Sequence, residues 1–108
     1  MSSGSVADEP DPSVHAVPAG AQLIRTTAEF DELNLPAGLL RAHHLAADVW
    51  GLLRVRSGSM RFVFEGRHDG GQVIESGNSQ LIPPQVLHHI ELVGPVRFVI
   101  EFHRAPPS

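Results

Sequence analysis

VWGLLRVRSGSMRFVFE, residues 49–65, sets two short apolar runs on either side of a Ser-Gly-Ser turn signal. Strands of this length separated by a tight turn read as a β-hairpin. The same punctuation recurs in both directions along the chain. Toward the C-terminus, RHDGG precedes QVIES, SQLI runs into Pro83-Pro84, and VLHHIELV is cut by Gly94-Pro95 from PVRFVIEFHR. In that last run Val96, Phe98, Ile100 and Phe102 alternate with Arg97, Val99, Glu101 and His103, so the first set is expected to face the core. Toward the N-terminus GLLRAHHL reads as one more strand, and TAEFDELN as a short helical turn capped by Thr27. No amphipathic helix of useful length fits between the breaks. The fold class is therefore all-β, a sandwich or barrel.

Composition narrows the function classes. The chain has 108 residues, one domain's worth, with a formal charge of −4. It lacks the basic stripe that nucleic acid requires. All eight basic residues are Arg, a habit of genome composition before it is a functional choice. With no Cys, disulfides and thiolate ligands are excluded. No apolar run approaches the ~20 residues that cross a bilayer. Residues 1–19 are small, polar and proline-punctuated, without the layout of a signal peptide, and read as a disordered tail ahead of one domain at 20–108. A cytoplasmic protein with no membrane or nucleic-acid partner is expected.

Seven histidines are a high share for this length. Five of them cluster, as His43 and His44 beside Asp48, as His88 and His89 beside Glu91, and as His103 beside Glu101, whereas His15 and His68 fall in segments that read as tail and turn. Imidazole and carboxylate converging from several strands suit a divalent transition metal. Strand neighbours point to opposite faces, so only one of each adjacent pair can face inward. His88 shares its face with Ile90 and Leu92 and is expected inside, whereas His89 is turned away. At the other pair periodicity leans slightly to His44. Pro83 and Pro84 fix two φ angles just upstream of His88 and limit its slack. Trp50 is expected in the core or the lumen wall.

The spacing Gly77, five residues, Pro83, one, Gln85, two, His88 resembles the second motif of the cupin superfamily, whose His is a metal ligand. Gln85 stands where that motif has Gly, and Leu92 where it has Asn. Gly58 matches the closing Gly of the first motif, and Gly51 takes the place of its Glu. LPAGLLRAHHLAADVWGLLRVRSGSMRF, IPPQVLHHIE and GPVRFVIEFHR together resemble one small cupin-like family, over residues 34–104. Its members form the N-terminal domain of tellurite-resistance methyltransferases and free-standing bacterial proteins, some associated with nitrate or nitrite response. Asp48 stands where that family usually has Gly.

The resemblance implies a cupin-like double-stranded β-helix, a jelly-roll barrel. It selects His43 over His44 as the match to the family's His. The resulting candidate metal set is His43, His88, Glu91 and Glu101, holding Zn, Fe, Mn or Ni. The resemblance further implies a small molecule, bound or transformed, of the tellurite or nitrite oxyanion type in a stress response. The alternative is a non-enzymatic ligand-binding or interaction domain with no metal. A homodimer is expected too, because cupins often pair by edge strands and the last strand is long and apolar.

Overall fold

The structure is a computed structural model that describes residues 16–107. Most of the expected tail, residues 1–15, lies outside the described residues. Six strands form a single sheet: β1 (Gln22–Thr26), β2 (Phe30–Asp31), β3 (Val49–Phe64), β4 (Gln72–Glu75), β5 (Ser79–Ile82) and β6 (His88–Arg104). The strand order is β1-β6-β3-β4, with β2 also on β6 and β5 also on β3. Among the described residues no helix is long and apolar enough to cross a membrane.

Two long strands, β3 and β6, make the frame. They run antiparallel from Val49↔Arg104 to Phe64↔His88. Each carries two short strands on its outer edge: β5 and β4 along β3, β1 and β2 along β6. The expected hairpin at Ser57-Gly58-Ser59 is therefore absent, and β3 runs straight through it. The reason lies on the opposite strand. Gly58 pairs with Val96 beside Gly94-Pro95, and the register slips on either side of it. Two breaks facing each other make a bulged bend in a ribbon, so neither one turns the chain. For the same reason VLHHIELV and PVRFVIEFHR are one strand.

The bend makes one core out of both halves of the ribbon. Leu53, Val55, Phe98 and Ile100 from one half join Met60, Phe62 and Ile90 from the other, with Ile74 and Ile82 from β4 and β5. The alternation of β6 holds: Val96, Phe98 and Ile100 are buried, and Phe102 packs against them half-buried.

Three further expectations change. GLLRAHHL is not a strand: Ala37–Leu40 is a 3-10 turn, and only His43 pairs, by a single bridge to His88. TAEFDELN is not helical, because Asp31 Oδ1 accepts from the amides of Leu33 and Asn34 and closes a turn instead. Thr27 caps no helix; its hydroxyl accepts from the Ile100 amide. β3 pairs with one edge of β6 from His88 to Arg104, and β1 and β2 pair with its other edge only between Arg97 and Arg104.

Candidate functional site

His88 opens β6 immediately after the corner formed by Pro83, Pro84 and Gln85. That corner is held by the Gln85 amide, which donates to the Leu45 carbonyl at 3.0 Å. His88 is 2 % exposed and is the one buried polar or charged residue among those described. It stands opposite Phe64, and its ring stacks on Phe62 with centroids 5.2 Å apart.

His43 is brought to it by backbone. The His43 amide donates to the His88 carbonyl at 3.0 Å, and the His88 amide returns the bond at 2.9 Å. This reciprocal pair sets the two imidazoles side by side, with ring centroids 4.2 Å apart. His44, next along, is exposed. The periodicity that leaned to His44 assumed a strand that does not form.

Both rings are pinned alike. His43 Nδ1 donates to the Arg41 carbonyl at 2.8 Å, and His88 Nδ1 donates to the Val86 carbonyl at 2.8 Å. Each bond reaches two residues upstream, and each fixes the tautomer with the proton on Nδ1. Both Nε2 atoms are thereby left as acceptors. Among the described residues neither Nε2 has a hydrogen-bond partner in the protein. Burial lowers the His88 pKa to about 4, helped by His43 and His89 and opposed by the bond to Val86 and by Glu65. The ring is neutral at physiological pH and competent as a ligand.

The other two predicted ligands lie elsewhere. Glu91 shares the outward face of the ribbon with Arg61, its cross-strand neighbour at 3.8 Å, and with His89 at 2.9 Å. His89 also bonds Glu65, and these two carboxylates raise its pKa. Glu101 bonds Arg54 at 2.7 Å and His103 at 3.2 Å on the outward face of the other half. Partial burial pushes its carboxyl up, but Arg54 and His103 outweigh it and hold it below the ordinary value. Trp50 is half-buried opposite His103.

Gly51, which takes the place of the motif carboxylate, is closely approached, so a side chain there would push two neighbours aside. A Cβ there would stand 3.2 Å from both Ile82 Cδ1 and Leu45 Cδ1. Among the described residues no group of three or more His, Cys, Asp or Glu side chains is placed to hold a metal. The site is two imidazoles on an aromatic bed. Sequence reasoning missed the Arg41 and Val86 carbonyls and the Phe62 stack, none of which has a motif.

Three comparisons bear on this chain. A family profile described as the TehB-like domain matches residues 25–100. The crystal structure of a protein from E. coli strain K12 superposes with a TM-score of 0.74 at 27 % identity, covering 85 % of this chain and 98 % of that one. The crystal structure of TehB from Haemophilus influenzae gives a TM-score of 0.72 at 18 % identity, covering 79 % of this chain and 32 % of that one. This chain thus spans about a third of that protein, and the likeness to it is one of fold. Among curated proteins nothing matches.

Proposed function

The chain belongs to the TehB-like domain family, and on that premise we propose that it is a small cytoplasmic metal-binding domain that binds or transforms a small oxyanion in a stress response. In this reading the bent ribbon is an open form of the cupin jelly roll, and the metal is Zn, Fe, Mn or Ni. The observation that carries it is the pair of tautomer-locked rings. Ligating histidines characteristically donate their other ring N–H to a backbone carbonyl or carboxylate, and His43 and His88 both do so.

The donor set fits such an ion in kind and supplies two positions, His43 Nε2 and His88 Nε2. An ion held there would polarise an oxyanion or a water in its remaining open positions. The chain's own part is to hold both imidazoles neutral and fixed, and to exclude water on the Phe62 side.

A specific observation favours a second reading, a non-enzymatic ligand-binding or interaction domain with no metal. Glu91 and Glu101, the two carboxylates of the expected set, are both engaged in ion pairs on outward faces.

Elemental analysis of untagged protein separates the two. After chelation and reloading with each of the four metals in turn, about one ion per chain is expected in the wild type. Little is expected in a His43→Ala, His88→Ala double variant that keeps its far-UV spectrum. A wild type that takes up none of the four ends the metal reading.

A further inference from the structure

On the outward face of the sheet, away from His43 and His88, a groove of about 430 Å³ runs between β3 and the β4–β5 turn. Its polar walls come from Arg54, Arg56, Ser76, Asn78 and Ser79, and among the described residues no acidic one is in the lining. We propose that this groove binds the phosphoryl group of a small organic phosphate.

The placement follows from backbone. Ser79 is the cross-strand partner of Arg54, so both side chains project from one face. The turn is anchored to β3 by the Gly77 amide on the Val55 carbonyl at 3.0 Å and by the Val55 amide on the Asn78 carbonyl at 3.1 Å. The Ser76 hydroxyl donates to the Arg56 carbonyl at 3.0 Å. Among the described residues the Ser79 hydroxyl and the Asn78 amide have no side-chain hydrogen bond within the protein. They stand beside two guanidiniums.

Charge points the same way. Arg54 spends its Nε on Glu101, which orients the fork and leaves its terminal nitrogens available. Arg56 and Arg97 share one carboxylate, Glu29, at 3.7 and 3.9 Å. Arg56, like Arg54, meets its carboxylate through Nε, which leaves its terminal nitrogens available as well. Guanidinium, hydroxyl and amide donors on one hollow suit an anion with several oxygens, and tetrahedral phosphoryl oxygens present three at once. The groove is larger than a bare phosphate, which leaves room for the organic remainder.

The test is an amide NMR titration of the full chain with glycerol 3-phosphate and with inorganic phosphate, against sodium chloride at matched ionic strength. Saturable shifts of the Gly77, Asn78 and Ser79 amides are expected, with glycerol 3-phosphate the tighter. Arg56→Gln should weaken binding about fivefold, the effect of one lost charge-assisted bond. The His43→Ala, His88→Ala protein should bind both as the wild type does, which separates this groove from the histidine pair. Equal affinity for the two phosphates would overturn the organic ligand. Shifts that follow ionic strength alone, or that Arg56→Gln leaves unchanged, would overturn the site.

Discussion

At the scale of the residue, His88 is the side chain whose environment says most. Its imidazole is neutral because charging it would place a cation in a buried position stripped of water, beside the imidazoles of His43 and His89. The unfolded chain takes up a proton near pH 6.5, whereas the folded chain refuses it until about pH 4. Stability from this group is therefore full above 6.5 and lost as the pH falls through 4, by about 3 kcal/mol in total. His89, whose pKa Glu91 and Glu65 raise, has the opposite sign and offsets part of this loss in acid. Urea midpoints at pH 7 and pH 4.5 should fall further apart in the wild type than in His88→Phe, which keeps the stack without the proton. Equal differences would mean that His88 does not govern acid stability. The inward turn of His88 was legible from its apolar face-mates. That of His43 was not, because a single bridge carries no period, and only the family resemblance selected it. Asp48, where the family usually has glycine, and Gln85, where the cupin motif has it, are the two non-glycine residues at positive φ among those described, 69° and 60°. Those glycines mark a backbone shape that this chain keeps without them.

At the scale of the element, Ser57-Gly58-Ser59 shows where local reading stops. A turn signal states that the chain can bend there. Whether it reverses depends on what pairs across from it, and here the partner is another break, Gly94-Pro95, some 35 residues away along the chain. No window on the sequence contains both. Gly58 has φ +73°, and a Cβ on it would fall 2.0 Å from the Pro95 carbonyl oxygen. Both the conformation and the close approach demand glycine. Gly58→Ala should cost about 3 kcal/mol or more, because strain and backbone overlap both add. Chemical denaturation measures it directly. A loss below about 1 kcal/mol would mean that the bend relaxes freely and does not fix the ribbon.

At the scale of the whole molecule, the short strands and their inward faces were legible from alternation, but their joining into two long strands was not. That joining has an energetic consequence. A pair of hairpins would have let each half bury its own apolar side chains. A bent ribbon cannot, because Leu53 and Phe98 in one half and Phe62 and Ile90 in the other fill a single cluster. The halves should therefore unfold together. Trp50 sits near one end of β3 and Phe62 near the other, so damage at one can be read at the other. Phe62 is 2 % exposed, and its truncation removes the ring beneath His88 as well as core volume. Phe62→Ala should cost about 3–5 kcal/mol. The whole of that loss should appear in the urea midpoint followed by Trp50 fluorescence, coincident with the midpoint from far-UV circular dichroism. If the Trp50 transition stayed where it is in the wild type while the circular dichroism moved, the halves would be independent. The two imidazoles would then rest on one half alone, because Phe62, Phe64 and His88 all lie beyond the bend.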